Sequence, residues 1–152
     1  MGYEMQMIES PTKVPDGMIL QNPSTPGHHQ YTSRAMPVTV LAMQSANVLG
    51  LDAPPDFPKP TETDYEAKVR LILDAPGHNN NPPTYKFQSN SGWLVTPAEC
   101  LKIADGIDRQ KEMLALHLFP DEGYSAEEGR LWLTCWANFN RLAATHGGYR
   151  VL

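Results

Sequence analysis

From residue 85 onward the apolar positions fall into regular periods, and the elements they predict can be read in order. In YKFQ and WLVT, Tyr85, Phe87, Trp93 and Val95 share one parity across the turn composition Ser89-Asn90-Ser91-Gly92, which predicts a β-hairpin with an aromatic face. Thr96, Pro97 and Glu99 form a capping-box signature, so a helix should run to about Leu118. Its inward stripe is Cys100, Ile103, Ala104, Ile107, Leu114 and Leu118, broken near Gln110 and Lys111. After the loop Pro120-Asp121-Glu122-Gly123, Ser125 and Glu128 make a second capping box. They open a helix to about His146 with Trp132, Cys135, Trp136, Phe139, Leu142 and Ala143 on one face, and Gly147 stops it. Each helix is about 30 Å long at 1.5 Å per residue, so an antiparallel pair returns the chain to the end of WLVT. The closing YRVL then pairs antiparallel with it.

The first 84 residues are punctuated differently. They hold 12 of the 14 prolines, so the two halves must fold by different means. Residues 1–36 read as an extended arm, with short extended pieces at YEMQMI and GMIL. Its Tyr3, Met5, Met7, Met18, Ile19 and Leu20 are too apolar for a solvated tail, so the arm should pack on its own domain or on a neighbouring copy. Residues 37–49 predict a helix opened by Pro37 and closed by Gly50, with Leu41, Ser45, Val48 and Leu49 along one side; a buried strand over Val38–Met43 is the competing reading. LDAPPDFPKP is a stiff connector with polyproline character. A second helix, capped by Thr61 or Thr63 and ending at Asp74, carries Tyr65, Val69 and Ile72 on one face, and HNNNPP is a polar loop.

Together these elements predict one α+β domain over residues 1–152. It has an antiparallel sheet of about three strands under an αα-hairpin (85–152), one or two further helices with proline-rich loops (37–84), and the arm (1–36). A chain of 152 residues suffices for such a core without staples. The net charge of −5 and the lack of a basic cluster argue against binding extended nucleic acid: residues 1–60 carry 3 Lys and Arg against 5 Asp and Glu, and residues 97–152 carry 6 against 8. No apolar run is long enough to span a bilayer, and MGYEMQMIES has neither a basic nor an apolar signal region. A cytoplasmic location without membrane association is expected.

The combination of SNSGWLVTPAEC, a tryptophan-rich helix and the terminal AATHGGYRVL resembles small uncharacterised bacterial and phage-encoded proteins that end in a Gly-Gly-aromatic-x-Val strand. The resemblance covers roughly the last 65 residues. It implies an α+β unit and an accessory role in mobile elements, without specifying an activity.

Three constellations carry candidate chemistry. Cys100, in the first turn of one long helix, and His146, at the end of the other, come to the same end of an antiparallel pair, where a helix dipole would activate a thiol. The segment HHQYTSR offers His28, His29, Tyr31 and Arg34 as donors and an aromatic platform for a small anionic or nucleotide-like ligand. Trp132 and Trp136, four apart, read first as a core stripe; if a three-stranded sheet is too small to cover them together with Leu131 and Leu133, the excess apolar surface becomes an oligomer or partner interface. No Gly-rich phosphate loop, HExxH or paired CxxC is present, and no metal or cofactor is expected. The expected role is a non-catalytic accessory protein that binds a protein partner or a small ligand, with inhibition of a host system a natural role, and forms homo-oligomers. The alternatives are an enzyme built on Cys100 and His146 or on His28–Arg34, and a structural subunit of a larger assembly.

Overall fold

The computed structural model describes residues 2–152. Four strands form one antiparallel sheet: β1 (Gly2–Met7), β2 (His28–Thr32), β3 (Trp93–Val95) and β4 (Tyr149–Val151), in the order β2-β1-β4-β3. The expected pairing of the last strand with WLVT is present, with Trp93 opposite Val151 and Val95 opposite Tyr149. The expected sheet of about three strands included neither β1 nor β2, both of which come from the arm, and it left β4 at an edge rather than inside. The arm packs on its own chain: β1 lies against β4, with Met5 opposite Val151, and β2 extends the sheet beyond β1, with Tyr3 opposite Tyr31. Strand side chains alternate between the two faces. Met5, Met7, His29, Tyr31, Trp93, Val95, Tyr149 and Val151 are all buried and share one parity.

That face is covered by α3 (Pro97–Met113) and α5 (Ala126–Ala143). Both capping boxes form. Thr96 accepts from the Glu99 amide and Ser125 from that of Glu128, and each glutamate bonds back to the amide of its cap residue. The end of the first long helix widens into a π-turn at Leu114–Leu118, where the Phe119 amide reaches back to the Leu114 carbonyl. Pro120 has no amide hydrogen to continue the α ladder, and a single turn, α4 (Phe119–Asp121), closes the element. At the far end Gly148 has φ +80°, and a Cβ there would collide with the Val95 carbonyl oxygen, so the turn into β4 requires glycine.

Residues 35–45 form α1 (Ala35–Ser45), the helix expected there, but its phase differs. Met36, Val38, Thr39, Val40, Ala42 and Met43 are buried, while Leu41 and Ser45 face outward. The segment is apolar on nearly every side, so periodicity does not identify its inner face. Asn47, at φ +58°, ends it ahead of Gly50. The helix α2 (Tyr65–Asp74) keeps Tyr65, Val69 and Ile72 half-buried as expected. However, it starts from a left-handed Asp64 and makes no side-chain cap with Thr61 or Thr63.

The YKFQ strand does not exist. Residues Thr84–Phe87 form a 3-10 turn, and β3 is an edge strand. The cause is Lys86, which a solvated hairpin would expose and which is instead completely buried. Its ammonium bonds the Ala75 carbonyl (2.9 Å), the Leu94 carbonyl (2.6 Å) and Glu99 Oε1 (2.8 Å). Glu99, equally buried, also accepts from the Thr96 and Gly77 amides. One ion pair thus ties the end of α2, the loop at Gly77, β3 and the start of α3. Tyr85 and Phe57 of the proline-rich connector cover Trp93, with ring centroids 4.7 and 5.6 Å from it. Among the described residues no helix is long and apolar enough to cross a membrane.

Candidate functional site

At the β2 edge, opposite the Lys86–Glu99 pair, an open cleft of about 700 Å³ lies between β2, the first turn of α1, the face of α5 and residues 19–21 of the long β1–β2 connection. The alternation of β2 sends His29 and Tyr31 into this region and His28, Gln30 and Thr32 to the other face. From α5 come Glu128, Leu131, Trp132 and Cys135, spaced three and four apart along one side of the helix. Tyr124, just before the cap of α5, completes the wall.

The strap over this cleft is held by side-chain amides. Gln21 Nε2 donates to the Gln30 carbonyl (2.8 Å), and Gln21 Oε1 accepts from the Gln30 amide (2.7 Å). Its carboxamide therefore pairs with the exposed edge of β2 much as a neighbouring strand would. Asn138 Nδ2 donates to the Ile19 carbonyl (2.9 Å), fastening the strap to α5.

The floor is aromatic. Tyr31 stacks on Trp132 with centroids 5.6 Å apart, and Tyr124 meets Trp132 edge-on at 5.0 Å. His29 lies 4.6 Å from Tyr31, 5.2 Å from Trp136 and 5.1 Å from Phe139. His29 is 1% exposed, and neither of its ring nitrogens has a hydrogen-bond partner among the described residues. The Trp136 indole nitrogen and the Tyr31 hydroxyl are also unpaired. Trp132 Nε1 donates instead to Thr39 Oγ1 (2.9 Å), and the Tyr31 hydroxyl approaches this pair without an aligned bond to either group. All the buried, unpaired side-chain polar atoms of the described residues thus belong to one contiguous cluster of His29, Tyr31 and Trp136. Burial drives the His29 imidazole down to about 3 and pushes the Tyr31 phenol far above its usual range, so both are neutral at physiological pH.

The four residues predicted in HHQYTSR therefore separate. His29 and Tyr31 line the cleft; His28 faces the other side of the sheet, where its Nδ1 bonds Glu4 (3.0 Å), and Arg34 is exposed at the start of α1. The segment is a strand, which the surrounding Pro26, Gly27 and Pro37 disguise. The predicted tryptophan surface divides as well. Trp136 is fully buried core, whereas the partly buried Trp132 belongs to the cleft wall beside the exposed Leu131.

Cys100 and His146 do not form a reactive pair. Cys100 is completely buried, and its thiol points to the Val95 carbonyl (3.8 Å). Burial, then the neighbouring Glu99 charge, pushes that thiol up, overriding the helix-dipole effect expected from its position. His146 Nδ1 donates to the Leu142 carbonyl (2.9 Å) and so serves its own helix end. Among the described residues no three His, Cys, Asp or Glu side chains converge as a metal-binding group.

Sequence reasoning missed the strap and the depth of His29. The parity shared by Tyr3, Met5 and Met7 and by His29 and Tyr31 was the available signal, because it marks two strands that expose one face each. Comparison with family models, with curated protein sequences and with solved structures gives no match to this chain.

Proposed function

We propose that this chain is a non-catalytic binding protein whose ligand is a small, uncharged organic molecule held in the cleft between β2, the strap and α5. The observation that carries this reading is that His29 and Tyr31, which hold three of the four buried side-chain polar atoms without a partner among the described residues, line this aromatic-walled cleft. Leaving a buried donor or acceptor unsatisfied costs about 1–3 kcal/mol, which a ligand can return by supplying the missing partner. Another cleft, of about 540 Å³, offers no such opportunity at its polar groups: Asp52 accepts from the His78 amide and Asn81 from Lys102. A small anionic or nucleotide-like ligand has less support, since Glu128 is the one charged side chain lining the proposed site and His29 is neutral. An accessory role of the kind implied by the C-terminal resemblance would use this cleft for recognition.

The test is a two-dimensional NMR screen of small organic fragments against the full chain. Shifts should gather at His29, Tyr31, Trp132 and Cys135, and they should vanish when Ala35→Trp fills the partly exposed mouth. A panel that perturbs only other surfaces, or nothing, would refute the reading.

A further inference from the structure

We infer that the cleft selects a neutral aromatic ring bearing a hydrogen-bonding group, the chemistry of a phenol or an indole. This inference rests on the binding reading above and specifies its ligand class. Three features of the walls lead to it. Tyr31, Tyr124 and Trp132 already pack by face and edge, and a planar ring placed among them continues that arrangement with favourable stacked or edge-on contacts. Ile19, Leu20, Leu131 and Ala35 supply apolar area around the aromatic group, and the half-exposed Ile19 and Leu131 leave that area open at the rim.

The second feature is the polar complement. A neutral imidazole presents one N–H donor and one nitrogen acceptor, and neither ring nitrogen of His29 has a partner among the described residues; both are shielded from solvent, so a ligand meets them by displacing a neighbouring side chain of the cleft wall. A ligand group that both donates and accepts, such as a phenolic hydroxyl, can satisfy either nitrogen, and an indole N–H can satisfy the acceptor. A purely hydrocarbon ligand would leave these groups as they are. The third feature is charge. No lysine or arginine lines the cleft, and Glu128 is exposed and occupied in capping α5 through the Ser125 amide (3.1 Å). An anion entering the cleft would lose hydration without gaining a counter-charge.

Titration of the full chain with phenol, cyclohexanol and benzoate, followed through the His29 and Trp132 resonances, separates these features. Cyclohexanol keeps the hydroxyl but lacks the π-face, and benzoate keeps the ring but adds a negative charge. Phenol should bind at least about tenfold more tightly than either, a difference of about 1.4 kcal/mol. His29→Phe should weaken phenol about tenfold or more by removing the polar partner, and Tyr31→Phe should weaken it less. His29→Phe replaces an unpaired buried ring with an apolar one of similar shape, so it should fold. Equal binding of phenol and cyclohexanol would overturn the aromatic assignment, and tighter binding of benzoate would overturn the charge argument; in both cases the cleft remains a binding site. If none of the three probes, nor indole, perturbs the cleft resonances, the ligand class and the binding reading fall together.

Discussion

The two edges of the sheet each bury polar side chains, and they do so in opposite ways. Near β3, Lys86 and Glu99 are both fully buried, yet the ammonium has three acceptors and the carboxylate three donors. Near β2, His29, Tyr31 and Trp136 are buried with four polar atoms that have no partner among the described residues. A saturated network rigidifies the segments it joins, which suits its place between α2, β3 and α3. An unsaturated one lowers stability unless something from outside completes it. The contrast separates polar burial that builds the fold from polar burial left incomplete, which the proposed ligand would complete.

Breaking the saturated edge should have the largest effect. Lys86→Met leaves Glu99 buried without its cation and should cost about 3–5 kcal/mol in urea denaturation. A loss below about 1 kcal/mol would show that the pair does not organise this edge.

Acid should act on the other edge. The unfolded chain takes up a proton at His29 as pH falls through its ordinary value of 6.5, whereas the native chain resists until about 3. Stability associated with the neutral ring is therefore complete above pH 6.5 and is lost progressively towards pH 3. By pH 4 the wild-type chain should have lost about 3 kcal/mol relative to His29→Phe, measured as the change in unfolding free energy from pH 7. Parallel profiles for the two proteins would remove His29 from the acid response.

At neutral pH the same substitution should stabilise the chain by about 1–3 kcal/mol, the reverse of the Lys86 effect, because it removes two unpaired nitrogens from the interior. The smallest effect belongs to the strap. Gln21→Ala deletes the two bonds to Gln30, and a global cost of about 0.5–1.5 kcal/mol should accompany faster amide exchange at residues 19–22. Unchanged exchange would mean that Asn138 and Asn22, through the Ile19 and His28 contacts, hold the strap without Gln21.

These effects also show which parts of the molecule were legible in the sequence. The capping boxes at Thr96 and Ser125 and the pairing of β4 with β3 follow from local chemistry and helix length, and they are found where expected. The residue parity at Tyr85 and Phe87 was misleading because Lys86 between them is drawn inward by Glu99, a partner 13 residues away. The cleft was only half visible. His29 and Tyr31 stood out as residue types, but their depth depends on β1 pairing with both β2 and β4, which joins segments separated by up to most of the chain. The Cys100 idea failed for a related reason: helix position predicts an activated thiol, while the tertiary burial that decides the matter is invisible locally.

On the reading proposed above, the buried His29 imidazole, which has no hydrogen-bond partner among the described residues, stays neutral and awaits a ligand. The most direct measurement is the pH titration of its ring nitrogens by ¹⁵N NMR, with and without phenol. The ring should stay neutral down to about pH 3, and both nitrogen shifts should change on adding phenol at neutral pH. A titration near 6.5, or ring shifts that phenol leaves unmoved, would contradict that reading.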